Sequence, residues 1–204
     1  MSSGGIQLNS SDKILLAAID LMAEKGYKGV STKEIAAAAG LSEMTLFRHF
    51  GSKQNVLEAA MDRFYYAVEM TKLFQESLVW NLEADLLLIG KTYHQLMNRN
   101  KKIFLIALKE GSQLPGFQEK ANKHPYQLKE LLTGYFDAMQ RKGLMIPANP
   151  EAQALAFMWM NYGAFVSNEI SGAPVTTMPM DEFIEASVRL FVKSLTPSFT
   201  AHKC

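Results

Sequence analysis

The sequence contains a single cysteine, Cys204, so no intrachain disulfide can form and stability must come from a packed core. Its four histidines show no His-Glu-x-x-His spacing; they are His49, His94, His124 and His202. No Gly-x-Ser-x-Gly elbow and no phosphate-binding loop occurs. The usual signatures of metalloenzymes, serine hydrolases and nucleotide-binding enzymes are therefore missing. No catalytic residue, cofactor or metal site is predicted.

Long apolar runs are also lacking. The longest segment without charge, residues 152–168, contains Gln153, Asn161 and Ser167 and is too short and too polar for a membrane span. The opening residues, MSSGGIQLNSS, have neither the basic region nor the apolar region of a signal peptide. A soluble, cytoplasmic protein is therefore expected.

Charge of either sign is not in excess, since 21 basic residues face 20 acidic ones and the net charge is +1. The chain as a whole thus gives no general attraction to nucleic acid, and any such function must depend on a local surface. With 204 residues, 48% of them hydrophobic, the chain is large enough to bury a substantial core.

Strict alternation of apolar and polar residues, the mark of β-strands, is missing too, and helical periodicity dominates. The pattern predicts an all-α protein of about nine helices, with a flexible arm at residues 1–10. One long helix is predicted over residues 53–76 and another over residues 126–143. The last two helices are predicted over residues 149–170 and 181–195.

Local signals near the amino terminus predict two short helices joined by a tight turn. Ser31 and Glu34 have the spacing of a capping box, and Gly40 ends the helix that they begin. Ser42 is a good N-cap for the next helix, which continues through Phe50. This arrangement is typical of a helix-turn-helix, whose second helix enters the major groove of DNA.

The second of these helices has residue types suited to reading DNA. Leu46 and Phe50 lie four residues apart and should point inward, which leaves Met44, Thr45, Arg48 and His49 largely on the open side. A guanidinium can bind guanine or phosphate, a hydroxyl can bind a base edge, and an apolar group can contact a thymine methyl. The local surplus of basic residues is small, so charge does not by itself decide between this function and an ordinary solvated surface.

The run GVSTKEIAAAAGLSEMTLFRHFGSKQNVL, residues 29–57, closely resembles the DNA-binding segment of TetR/AcrR-type bacterial transcriptional regulators. The family pattern is matched at fixed spacing by Thr32, Ile35, Ala36, Ala37, Ala39, Gly40, Ser42, Leu46, Phe47, His49, Phe50 and Lys53. The resemblance covers roughly the first quarter of the chain. It implies a DNA-binding domain at residues 1–52 and an effector-binding and dimerisation domain at residues 53–204.

The resemblance also implies which residues contact double-stranded operator DNA. Those that face the bases or the phosphates would be Thr32, Lys33, Ser42, Met44, Thr45, Phe47, Arg48, His49 and Lys53. The family often has tyrosine at the position of Phe47, and that hydroxyl commonly binds phosphate. Phe47 cannot make this contact, although its ring can pack against a sugar or a methyl group.

In this family a larger helical domain binds a small molecule and forms a homodimer, usually through its last two long helices. Residues 154–166 are apolar nearly all round, which indicates a helix covered on several sides. Candidates for contact with a partly apolar effector are Tyr93, His94, Met97, Phe104, Tyr135, Met139, Met158, Trp159 and Tyr162. Methionine and aromatic residues at helical spacing are also ordinary core residues, so the identity of the effector cannot be read from them.

The sequence therefore predicts a ligand-responsive transcriptional regulator, most simply a repressor that leaves its palindromic operator when the effector binds. Two other hypotheses stay open. One is an enzyme with a helical fold, which the missing motifs disfavour. The other is a protein-interaction or anti-regulator module that kept the helix-turn-helix shape without binding an operator. Activation instead of repression also remains open, because the position of the operator on a promoter decides it.

Overall fold

The computed structural model describes residues 8–110, 114 and 116–197, and these residues contain ten α-helices and no strand. The all-α prediction is thus confirmed for the described part of the chain. The helices are α1 (Ser10–Lys25), α2 (Thr32–Ala38), α3 (Glu43–Phe50), α4 (Lys53–Phe64), α5 (Ala67–Glu76), α6 (Leu82–Arg99), α7 (Lys101–Glu110), α8 (Phe117–Arg141), α9 (Pro150–Phe165) and α10 (Met180–Leu195). A π-helical turn, Val166–Ile170, continues α9.

Two helix boundaries correct the predictions near the amino terminus. The predicted arm at residues 1–10 lies mostly outside the described residues, but α1 already begins at Ser10 because the Asn9 side chain accepts a hydrogen bond from the backbone N–H of Asp12. The single long helix predicted over residues 53–76 is wrong. Tyr65 has an extended backbone conformation, with ψ of 172°, which separates α4 from α5. The side chains of Tyr65 and Tyr66 are both buried at this break.

The helix predicted to begin at Tyr126 in fact begins nine residues earlier and includes a proline. Gly116, with φ of +70°, turns the chain into α8, and the first side chain of the helix, Phe117, is fully buried. Pro125 lies inside α8, where it removes one backbone hydrogen bond and its ring crowds the carbonyl of the preceding turn. The burial of Phe117 supplies a packing reason for the helix to start before the proline.

Backbone contacts divide the chain into two compact units. The first unit consists of Met1–Tyr65 with Asn100–Lys123, and the second of Tyr66–Arg99 with His124–Cys204. The predicted domain boundary after residue 52 falls inside the first unit, between α3 and α4. Helix α4 packs against α1 there, and its Val56 and Leu57 are fully buried.

In the first unit, α1 is the central helix and packs against α2, α4 and α7. Its buried face carries apolar residues at helical spacing, namely Ile14, Leu15, Ala18 and Met22. Ile35 of α2 and Leu46 of α3 are fully buried in the same unit. These contacts fix the positions of the two short helices that carry the candidate site.

In the second unit, α6 is the central helix and contacts α5, α9 and α10. Gly90 permits its close approach to α10, because a Cβ atom there would lie only 3.1 Å from the Ile184 side chain. An ion pair between Lys91 and Glu185, at 3.0 Å, joins the same two helices. Among the described residues, no helix combines the length and the apolar character needed to cross a membrane.

Candidate nucleic-acid interface

The turn between α2 and α3 is built from local hydrogen bonds. The predicted capping box is present: Glu34 accepts from the backbone N–H of Ser31 at 2.8 Å, and Ser31 Oγ accepts from the N–H of Glu34 at 3.2 Å. At the other end of α2, the N–H of Leu41 donates to the carbonyl of Ala36 at 2.9 Å. Gly40 makes this closure possible, since its φ of +70° is costly for residues with a Cβ atom.

Helix α3 begins and ends at the residues that the sequence predicts. Ser42 caps it by accepting from the N–H of Thr45 at 3.2 Å, and Gly51 ends it in the left-handed conformation. Leu46 is fully buried and anchors the helix to the first unit. The opposite side of α3 is therefore held out towards solvent.

The exposed side of α3 carries an unusual pair of apolar side chains. Met44 is 81% exposed and Phe47 is 46% exposed. Arg48 and His49 are exposed as well, and Arg48 has no hydrogen bond or ion pair with any described residue. This surface offers a free guanidinium and an imidazole beside two apolar groups.

The hydroxyl groups around the turn are engaged with their neighbours. Thr32 Oγ1 donates to Glu43 Oε1 at 2.6 Å, which ties the start of α2 to the start of α3. The hydroxyls of Ser42 and Thr45 lie 2.9 Å apart and bond to each other. These three predicted site residues thus hold the motif together in the free protein.

The two predicted phosphate-binding lysines differ in their surroundings. Lys33 is exposed at the start of α2 and has no partner among the described residues. Lys53 Nζ donates to the carbonyl oxygens of Tyr27 at 2.7 Å and Val30 at 2.6 Å, and it lies 4.3 Å from the centre of the Tyr27 ring. Burial lowers the pKa of Lys53, while the carboxylates of Glu110 and Glu34 oppose this shift.

A second candidate site is a small apolar cavity within the second unit, with a free space of about 10 Å³. It lies between α6, α8 and α9 and is lined by Ile89, Tyr93, Leu128, Leu132, Phe157, Met158 and Asn161. Of the nine predicted effector contacts, it brings together only Tyr93 and Met158. Helical spacing of four places Leu128 and Leu132 on one face, but nothing in the sequence says that this face borders a cavity.

A buried polar pair adjoins this cavity. Asn161 Nδ2 donates to the carbonyl of Phe157 at 2.8 Å, so its Oδ1 faces His94 Nε2 at 3.2 Å. His94 Nε2 must then carry the proton, and its buried Nδ1 has no partner among the described residues. Burial lowers the pKa of His94, which favours the neutral ring.

The other predicted effector contacts lie elsewhere. Phe104 belongs to the first unit, and Met97 is an ordinary buried residue of α6. Tyr135 donates to the buried carboxylate of Asp85 at 3.0 Å. Met139 lines a separate groove of about 270 Å³ with Trp80, whereas Trp159 and Tyr162 are exposed on α9.

A short helix that follows a tight turn, with Leu46 buried and Met44, Phe47 and Arg48 exposed, defines a helix-turn-helix protein of the DNA-binding class. The comparison with known families agrees: the model for bacterial regulatory proteins of the tetR family matches residues 14–60. The uncharacterized HTH-type transcriptional regulator YvkB of Bacillus subtilis is 31% identical over 187 residues, which cover 92% of this chain and 97% of that protein. The chain belongs to the tetR family of bacterial regulatory proteins and is a helix-turn-helix transcriptional regulator.

Two further proteins are similar to it. The HTH-type transcriptional repressor Rv3405c of Mycobacterium tuberculosis is 28% identical over 107 residues, or 52% of this chain and 50% of that protein. The crystal structure of AibR in complex with isovaleryl coenzyme A and operator DNA has a TM-score of 0.64 and 22% sequence identity, and the match covers 89% of this chain and 97% of that one. At this identity the structural likeness shows the fold alone.

Proposed function

We propose that this regulator is a repressor that binds a palindromic operator as a homodimer and is released by a small, partly apolar effector. The observation that carries the proposal is the exposed side of α3, where Arg48, which has no bond to any described residue, lies beside Met44 and Phe47. His49, which is exposed on α3, and Lys33, which is exposed on α2, supply further positive or hydrogen-bonding groups. Repression is favoured because the relative Rv3405c is named a repressor.

Dimerisation through α9 and α10 is supported by the apolar surface that they expose. Trp159 of α9 is 63% exposed and Leu190 of α10 is 68% exposed, and Tyr162 lies one turn beyond Trp159. Large apolar groups that stay exposed on two long helices are typical of residues that a partner covers. A dimer would present two copies of α3 to half-sites about 34 Å apart, or a multiple of that distance.

Effector binding is supported by the cavity of the second unit. Its lining is apolar apart from Asn161, and the adjoining His94 has a buried nitrogen without a described partner. The free space of about 10 Å³ is about that of one water molecule, so an effector would have to displace the lining side chains in order to enter. AibR provides a precedent in the same fold, since its structure holds isovaleryl coenzyme A together with operator DNA.

Release would follow from linkage. If the effector prefers a spacing of the two α3 helices that does not fit the operator, it weakens DNA binding, and DNA weakens effector binding by the same factor. Operator affinity measured with and without a candidate effector tests this step. An effector that saturates the protein without changing operator affinity would exclude the release mechanism.

The first experiment is selection of bound duplexes from a random DNA pool, with wild type and Arg48→Ala run in parallel. We expect wild type to enrich a two-fold-symmetric site, and Arg48→Ala to lose about 10-fold or more in affinity for it, because one good base contact contributes about 1–3 kcal/mol. Lys72→Ala is the matched control, since Lys72 is an exposed cation on α5, which is neither α3 nor one of the two helices proposed to form the dimer. If wild type enriches nothing even at low salt, operator binding is wrong, and a protein partner for α3 should be sought.

A further inference from the structure

The hydroxyl groups of the helix-turn-helix are poorly placed to supply sequence specificity. Thr32 is bonded to Glu43, and Ser42 is bonded to Thr45. Thr32 and one of the Ser42–Thr45 pair already donate their only proton, so a donated bond to a base would replace an existing bond and bring a small net benefit. The side chains left free on α3 are therefore the main candidates for discriminating between bases.

Among those free side chains, Met44 and Phe47 form an apolar strip. They lie three residues apart, so they are neighbours on the surface of α3, and Arg48 lies beside both. Met44 is in the first turn of α3, the part of a second helix that contacts base edges in this motif. Leu46 alone fills the buried position of α3, so Met44 and Phe47 are not needed for the core.

Thymine is the base that presents an apolar group in the major groove, its 5-methyl. A methionine side chain is flexible and polarizable and can adapt to the position of a methyl group. Phe47 offers a ring without a hydroxyl, so no polar group is desolvated when the ring meets a methyl. Arg48 beside the strip can bind an adjacent guanine or phosphate.

We propose that Met44 and Phe47 are specificity-determining residues that read the 5-methyl groups of thymines in each operator half-site. This inference rests on the proposed operator binding and names the bases that the site recognises. The affinity for the operator therefore depends on one thymine methyl group for each such contact.

Deoxyuridine differs from thymidine only by the missing methyl group, so it isolates this contact. Starting from the duplex recovered by selection, each thymine is replaced by deoxyuridine at symmetric positions in both half-sites. We expect at least one position where wild type binds about fourfold more weakly per half-site, and about 15-fold more weakly for the pair, because one buried methyl group is removed from each.

The variants assign each methyl to a side chain. Met44→Ala and Phe47→Ala should bind the thymine duplex more weakly and should no longer distinguish it from the deoxyuridine duplex at their own position. Both side chains are exposed, so these variants are expected to fold, which circular dichroism checks. Lys33→Ala is the matched control, because a lysine that contacts phosphate changes affinity for both duplexes equally.

The outcomes separate this inference from the function on which it rests. If a symmetric site is recovered but wild type binds every deoxyuridine duplex as tightly as the thymine duplex, methyl reading is wrong and operator binding stands. Sensitivity that persists unchanged in both alanine variants would likewise overturn the assignment to Met44 and Phe47. If no site is recovered at all, operator binding fails and the inference fails with it.

Discussion

Lys53 occupies a position where the family resemblance implies a phosphate contact, yet its ammonium group already binds two carbonyl oxygens. Those of Tyr27 and Val30 lie 2.7 Å and 2.6 Å from Nζ, in the loop that precedes the capping box of α2. An ammonium group has three donors, so at most one is left for DNA. The geometry favours a role in holding α4 to this loop.

Salt dependence distinguishes the two roles of this residue. Lys53→Met should lower the free energy of unfolding by about 1–3 kcal/mol, because its charge-assisted hydrogen bonds are removed. It should leave nearly unchanged the slope of log K against log[salt], where K is the association constant for the operator. Lys33→Met is the matched control and should reduce that slope by about 0.9 for each phosphate that Lys33 neutralises. A fall in slope for Lys53→Met as large as for Lys33→Met would show that Lys53 binds phosphate instead.

Glu34 gives the capping box a defined pH dependence. Hydrogen bonds from Ser31 and the nearby ammonium of Lys25 lower the pKa of Glu34 from 4.5 to about 2. Because the folded pKa lies below the unfolded one, the ionised carboxylate stabilises the fold above pH 4.5, and this contribution is lost as the pH falls towards 2. Glu34→Gln keeps the shape and an acceptor but removes the charge.

We therefore expect wild type to be more stable than Glu34→Gln at pH 7, with a difference that shrinks progressively below pH 4.5. Urea denaturation at a series of pH values measures this. Ser31→Ala removes the other half of the box, and on that background the same substitution should have a smaller effect. A difference that stays constant as the pH falls to about 2 would contradict the role assigned to Glu34.

Two glycines, one in the turn after α2 and one inside α8, should differ in how alanine changes the free energy of unfolding. Gly40 joins α2 to α3 with φ of +70°, and no atom would lie within 4 Å of a Cβ atom added there, so alanine introduces backbone strain without a clash. Gly134 lies inside α8, again with open space around a Cβ atom, and there alanine removes the conformational freedom of the unfolded chain.

Gly40→Ala should lower the free energy of unfolding by about 1–2 kcal/mol, and Gly134→Ala should raise it by about 1 kcal/mol. Gly40→Asn should cost less than Gly40→Ala, because asparagine tolerates the left-handed conformation better. Thermal or urea denaturation measures all three variants. Equal effects of alanine at both positions would show that φ does not control the turn.

The same elements show how far the sequence predicts this fold. Helices α2 and α3 are predictable at nearly their observed bounds, because capping residues and Gly40 act over three or four residues. The break at Tyr65 is not, since it depends on burying two adjacent rings against residues distant in the chain. Pro125 is misleading as well, because α8 continues through it and begins at the fully buried Phe117.

In the candidate sites, too, features that depend on neighbouring residues are predictable from the sequence, and features that depend on distant residues are not. The exposed positions of α3 can be predicted because one short helix with one buried leucine has few possible orientations. The engagement of Lys53 with Tyr27 cannot, because 26 residues separate them. In the second unit, helical periodicity identifies apolar faces, but only the packing of three helices shows which face borders the cavity.

At the scale of the whole molecule, the proposed operator recognition uses two copies of the chain. A single α3 reads few bases, and two linked copies gain avidity because the second contact is intramolecular. Trp159→Asp places a charge in the apolar surface of α9, where the residue is 63% exposed and so is not needed for the fold of one chain. We expect this variant to be monomeric at concentrations where wild type is dimeric.

Sedimentation velocity measures the change in oligomeric state, and operator affinity should fall by about 100-fold or more with it. Val68→Asp is the matched control, since Val68 is 64% exposed on α5, which is not one of the two helices proposed to form the dimer. If Trp159→Asp stays dimeric, the partner surface lies elsewhere. If it becomes monomeric but keeps its full operator affinity, one chain suffices for recognition, and the two-fold symmetry expected of the selected site has no basis in the protein.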